Sequence, residues 1–212
     1  MFELAFIAVL LAAAVYIFFT LRKNGFFVKI EPSVTTSPKN LDKPLTVSTP
    51  HTFFGIYYDN PEVTDSHFLQ SAVGVVFGVD GKNFYDQEKE KDLADHGFEK
   101  LVLPKVERAV QAAQPSTGGF TSFLALVWFT YTTIRKYISD NKLETSYSIE
   151  FYSENEIHVV FPLDNANEFL VKDYQSVEQL ESEAAKKRFD SSEEDSESEP
   201  EPEATLEKEQ EQ

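Results

Sequence analysis

Residues 146–163, "SYSIEFYSENEIHVVFPL", decide the fold. Apolar and polar residues alternate on both sides of Ser153-Glu154-Asn155, and alternation with a period of two around such a turn is the pattern of an antiparallel hairpin. A second pair of β-rich runs lies upstream: "TFFGIYYD" and "SAVGVVFG", joined by a loop over residues 60–68. The first of these ends in Asp59-Asn60-Pro61, where Asp and Asn bond their own backbone and Pro cannot continue a central ladder. "GIYYDNP" before "AVGVVFG" parallels "SIEFYSEN" before "IHVVFPL". An internal duplication of a strand, helix, strand, strand unit explains that order.

Working outward, "FTSFLALVWFTYTTIRKYISDNK" sets Phe123, Leu126, Val127, Ile134, Tyr137 and Ile138 at helical spacing. Its uncharged run is too short to span a membrane, so the expectation is a helix laid on a sheet. Ahead of it "KVERAVQAAQ" fits a strand or a helix by period, and Pro115-Ser116-Thr117-Gly118-Gly119 breaks it. "YDQEKEKDLADHG" reads as a short helix stopped by Gly97. "FFVKI" reads as a first strand, and residues 31–50, with Pro32, Pro38, Pro44 and Pro50, read as irregular.

The ends differ in kind from the middle. Residues 4–21 carry no charge, Glu3 precedes them, and Arg22, Lys23 and Lys29 follow. About twenty apolar residues suffice to cross the hydrocarbon core. Basic residues after the run, and none before it, argue for a retained anchor over a cleaved signal peptide and place the C-terminal side in the cytosol. The chain has no cysteine, in keeping with a reducing compartment. From Phe189 onward eleven acids stand against Lys208, which supplies most of the net charge of −17. Such a segment repels itself and has little apolar surface to bury, so a disordered tail is expected. No Lys/Arg-rich stripe is visible to replace phosphate counterions, so nucleic acid is not expected as a partner.

The combination of Tyr57-Tyr58-Asp59-Asn60-Pro61, Ala72-Val73-Gly74, Tyr131-Thr132-Thr133-Ile134, Tyr137-Ile138, Lys142-Leu143, "IEFYSENEIH" and Pro162-Leu163 resembles the testis-expressed protein 264 family. The resemblance implies an α+β fold: a GyrI-like duplicated βαββ domain over residues 26–172, behind a transmembrane anchor over residues 1–25, with a disordered acidic tail over residues 173–212. The first half-repeat is expected to be degenerate, because residues 31–50 are too short and too broken by proline to supply its helix. It further implies a selective-autophagy receptor of the endoplasmic reticulum membrane, found also on autophagosomes, that binds ubiquitin-like autophagosome proteins through a short linear motif.

Such a motif pairs an aromatic residue with an aliphatic one three positions on, docked as an added edge strand with acids nearby. Tyr174 and Val177 in "DYQSVE" fit it. Ser191, Ser192, Ser196 and Ser198 each have an acid three residues on, which marks them as phosphosites that would deepen the negative field. The rival reading is a small-molecule-binding or hydrolytic domain tethered to a membrane. Tyr57, Trp128, Tyr131 and Glu150 would form its pocket, since a carboxylate amid aromatic walls attracts a cation. The four histidines are scattered without ligand spacing. No cofactor is expected, and the chain is read as a non-enzyme.

Overall fold

The computed structural model describes residues 2–36, 52–79 and 81–194. The chain divides into two units, Met1–Lys172 and Asp173–Gln212.

Helix α1 (Phe2–Lys23) opens the first unit. Its window Ala5–Lys23 has a mean hydropathy of 2.2 and is 0% buried, so it is long and apolar enough to cross a bilayer. The helix stops in a Schellman motif: the Phe26 amide donates to the Leu21 carbonyl at 3.0 Å and the Gly25 amide to the Arg22 carbonyl at 3.2 Å. Gly25 sits at φ +93°, which suits glycine, and a Cβ there would lie 2.6 Å from Gln114 Cγ. Phe26 and Phe27 are consumed by this turn, and Phe27 itself has φ 58°. That is why "FFVKI" forms no strand. The first strand, β1 (Ser33–Thr36), lies instead at the start of the stretch expected to be irregular.

Six strands make one sheet in the order β1-β6-β8-β7-β2-β3, all neighbours antiparallel. They are β2 (Phe53–Tyr57), β3 (Ser71–Val75), β6 (Arg108–Pro115), β7 (Ser148–Tyr152) and β8 (Glu156–Pro162), beside β1. A separate two-stranded ladder joins β4 (Gly78–Val79) to β5 (Lys82–Asn83). Helix α2 (Gln87–Asp95) follows, with the Asp86 carboxylate accepting from the Lys89 amide at 2.9 Å. The period left β6 undecided; its eight residues settle as a strand because both neighbours, β1 and β8, offer it a ladder.

One face of the sheet is covered by a continuous helical segment: α3 (Gly119–Ala125), a π-helical turn (Leu126–Tyr131) and α4 (Thr132–Asp140). Leu126 and Ile134 pack on Val110, Ala112, Ile157, Val159 and Phe161. The buried stripe runs Ser122, Ala125, Leu126, Thr130, Ile134. Phe123 and Val127, which helical spacing put with the core, are exposed. The π turn shifts the register, and two small hydroxyl residues are buried in their stead because each has a partner. Thr130 Oγ1 donates to Gln114 Oε1 at 2.5 Å, and Ser122 Oγ donates to Asn24 Oδ1 at 2.5 Å.

The hairpins β2–β3 and β7–β8 lie side by side, β2 on β7. The second is preceded by a strand and a helix, as expected. Ahead of the first, β1 pairs with β6 rather than with β3, so the described residues do not reproduce a duplicated unit. The expectation that the first half-repeat lacks its helix falls on residues 37–51, which lie outside the described residues.

In the second unit, helix α5 (Val177–Glu194) occupies residues expected to be tail. Its start carries a capping box: the Gln179 amide donates to Ser176 Oγ at 3.3 Å, and the Ser176 amide to Gln179 Oε1 at 2.9 Å. The acid-rich composition hid this local signal. Residues 195–212 lie outside the described residues.

Candidate functional site

The pairing of β2 with β7 sets Gly55 opposite Glu150 and Tyr57 opposite Ser148. With a period of two, Gly55, Tyr57, Ser148, Glu150 and Tyr152 therefore share the face that the helices cover. Gly55 leaves room for an aromatic ring, since a Cβ there would lie 2.8 Å from the Tyr57 ring. Glu150 is only 4% exposed. It accepts short hydrogen bonds from the hydroxyls of Tyr131, on the helix, and Tyr152, on its own strand.

Each phenol has one proton, and both are spent on the carboxylate. Ser148 Oγ must then donate to Tyr131 Oη at 3.0 Å, and Tyr57 Oη to Tyr152 Oη at 3.1 Å. Two hydroxyl relays thus converge on one carboxylate, Ser148 to Tyr131 and Tyr57 to Tyr152. Burial raises the Glu150 pKa and the two phenol hydrogen bonds oppose the rise. Burial first, and the Glu150 charge second, push Tyr131 and Tyr152 well above the usual phenol range, so both remain donors at any physiological pH.

The YYDNP segment serves as a joint. Asp59 Oδ2 accepts from the Gln70 amide at 2.7 Å, and Asn60 Oδ1 accepts from the Glu62 amide at 3.1 Å. Arg135 Nη2 donates to Asn60 Oδ1 at 3.3 Å, Arg135 pairs with Glu62, and its guanidinium lies 5.5 Å from the Tyr131 ring centroid. Tyr58 Oη donates to the Phe169 carbonyl at 2.9 Å. The loop therefore locks the helix that carries Tyr131 onto the strand that carries Tyr57.

Three of the four residues named for a pocket, Tyr57, Tyr131 and Glu150, meet in this cluster; Trp128 stands apart, 58% exposed on the outer side of the π turn. Tyr152 and Ser148 were missed, although strand alternation from Glu150 was the signal for both. A cavity of about 560 Å³ lies elsewhere, lined by Phe84, Tyr85, Asp86, Glu88, Lys89 and Asp92. It is a surface depression beside α2 and shares no residue with the tyrosine cluster. Among the described residues no three His, Asp or Glu side chains converge to hold a metal. Tyr174 precedes the capping box of α5, and Val177 begins the helix. An extended peptide through both residues therefore requires the first turn of α5 to open. Ser191 and Ser192 lie in the last turn of α5, while Ser196 and Ser198 are outside the described residues.

Fold and site together define an α+β sheet domain with a buried Glu-Tyr cluster, continuous with one apolar helix. The chain is 27% identical over 123 residues to human testis-expressed protein 264, covering 58% of this chain and 39% of that protein. It is 26% identical over 131 residues to the mouse homolog, covering 62% and 42%. These similarities support placing the chain among the distant relatives of testis-expressed protein 264. The match spans about two fifths of the length of these curated relatives. No family model matches the chain, and no solved structure matches it.

Proposed function

We propose that the chain is a single-pass membrane receptor for selective autophagy of the endoplasmic reticulum, with residues after α1 in the cytosol. The observation that carries the reading is the order of parts: an apolar helix capped directly onto a folded domain, then a separate unit that begins with the Tyr174 and Val177 motif. Similarity to testis-expressed protein 264 supports it. Tyr174 would fill the first apolar pocket of a ubiquitin-like autophagosome protein and Val177 the second, with the peptide added as an edge strand. Acids on α5 would favour a basic partner surface. In this reading Glu150 is structural, since each of its oxygens already accepts a phenol, and no catalytic step is assigned.

Binding of the full chain to such a partner should fall at least tenfold, about 1.4 kcal/mol, on Tyr174→Ala with Val177→Ala. No binding by the parent chain would overturn the receptor role. Orientation is tested with sealed microsomes, where added protease should remove α5; protection of α5 would reverse the topology.

One observation favours a second reading, a ligand-binding domain: a buried carboxylate surrounded by three tyrosines. A cationic aromatic compound would then raise the melting temperature, and Glu150→Gln would abolish the rise. Absence of any shift across a broad compound set would remove this reading.

A further inference from the structure

We infer that the aromatic face formed by Phe27, Phe120, Trp128 and Phe129 lies in the interfacial layer of the bilayer that α1 crosses, so that the domain is held flat against the membrane at a second contact. The inference rests on the reading of α1 as a membrane span.

Four observations lead to it. First, α1 and the domain are joined by a buried polar joint as well as by chain. Asn24, 5% exposed, donates to the Thr20 carbonyl at 2.8 Å and accepts from Thr117 Oγ1 at 2.7 Å and from Ser122 Oγ. Gln114, fully buried beneath Gly25, donates to the Ser122 carbonyl at 2.9 Å. The start of α3 is thus fixed at the C-terminal end of α1.

Second, an aromatic path runs from the apolar helix to the π turn. Phe18 of α1 stacks on Phe27 at 5.7 Å, Phe27 neighbours Phe26 at 6.3 Å, and Phe26 meets Phe129 edge-on at 5.3 Å. Third, Phe27 is held in the left-handed region at φ 58°, a costly conformation for a bulky residue. Its effect is to turn the ring back along α1 while leaving it 66% exposed. Fourth, the outer side of α3 and the π turn is apolar where solvent would favour polar groups. Phe120 is 72% exposed and Trp128 58%, and Phe120 and Phe123 lie together at 6.5 Å.

A bilayer accounts for these features together. Aromatic side chains on a helix that lies in the interface plane insert into the headgroup and acyl boundary, and Trp and Phe suit that depth. Arg22 and Lys23, exposed at the end of α1, supply the cations expected at the same level. Continuity with the span through Phe18, Phe27, Phe26 and Phe129 selects the lipid surface over a second copy of the chain.

Trp128 is the only tryptophan, which gives a direct readout. The full chain is reconstituted in phosphatidylcholine vesicles, with or without bromine on the upper acyl chain, and co-flotation after carbonate washing is scored first. Failure to float would refute the span itself. For the floating chain, Trp128 emission should drop at least about twofold in the brominated vesicles and resist aqueous iodide, as expected for insertion to 5–10 Å. Phe120→Glu with Phe123→Glu should still float but lose most of the bromine quenching. Iodide quenching without bromine quenching would overturn the inference in favour of a solvated face. Shielding from both quenchers would overturn it in favour of a second protein chain.

Discussion

Removing one hydroxyl, Tyr131→Phe, tests whether Glu150 is held ionised by its two phenols. The substitution strips one of two donors from a carboxylate that is 4% exposed, and leaves Ser148 Oγ without its acceptor. A hydrogen bond to a charged group is worth about 1.5–3 kcal/mol, so the loss at pH 7.5 should be about 2–3 kcal/mol. For a domain of this size that is a fall in melting temperature of about 4–12 °C. Glu150→Gln is the control. Its amide oxygen accepts from Tyr131 while its amide nitrogen donates to Tyr152, so every polar atom keeps a partner and stability should stay within about 1 kcal/mol of the parent.

The pH dependence follows from the raised Glu150 pKa. The ordinary value is 4.5 and burial lifts the folded value above it. Between the two the folded chain binds more protons than the unfolded chain, so stability falls as pH rises through that window and levels off once both states are ionised. Tyr131→Phe removes a donor that opposes the rise, so its window reaches to higher pH and its cost shrinks on acidification. Glu150→Gln has no proton to bind there, and this contribution to the slope vanishes. The measurement is thermal melting of the nanodisc-held full chain, followed by near-ultraviolet circular dichroism, at pH 5.5 and 7.5. An equal cost of Tyr131→Phe in the parent and Glu150→Gln backgrounds, or an equal cost at both pH values, would refute the reasoning.

Gly25→Ala forces a Cβ into Gln114 at positive φ, and should destabilise by about 2–4 kcal/mol through strain and the buried bonds it displaces; faster amide exchange in β6 and α3 checks this. Ser176→Ala removes the cap of α5, worth about 1 kcal/mol, and should make docking of Tyr174 and Val177 up to about fivefold tighter in calorimetry, because the first helical turn then opens more readily; weaker binding would show that the helical form is the one bound. Phosphorylation of Ser191 or Ser192 places about −1.5 to −2 charge at the negative end of the α5 dipole, so amide protection over residues 188–194 should fall; a rise would contradict the dipole argument.

By itself the sequence determined the features with local causes. The apolar run of α1 is set by its length, the hairpin β7–β8 by alternation around Ser153 to Asn155, and α2 by its helix-forming charges and the Gly97 stop. Glu150, Tyr131 and Tyr57 were legible as a candidate set because a carboxylate among aromatics is unusual. Tertiary structure alone decided the rest. Register put Gly55 against Glu150 and so made space for the Tyr57 ring, a choice that depends on which strand pairs with β2. The π turn rotated Phe123, Val127 and Trp128 outward and buried Ser122 and Thr130, because Asn24, from the far end of the chain, and Gln114, on the strand before the helix, arrive to satisfy those hydroxyls. Hydrophobic periodicity cannot report a buried hydroxyl whose partner lies about a hundred residues away, since the desolvation cost of the group is cancelled only where the folded chain brings that partner within hydrogen-bonding distance.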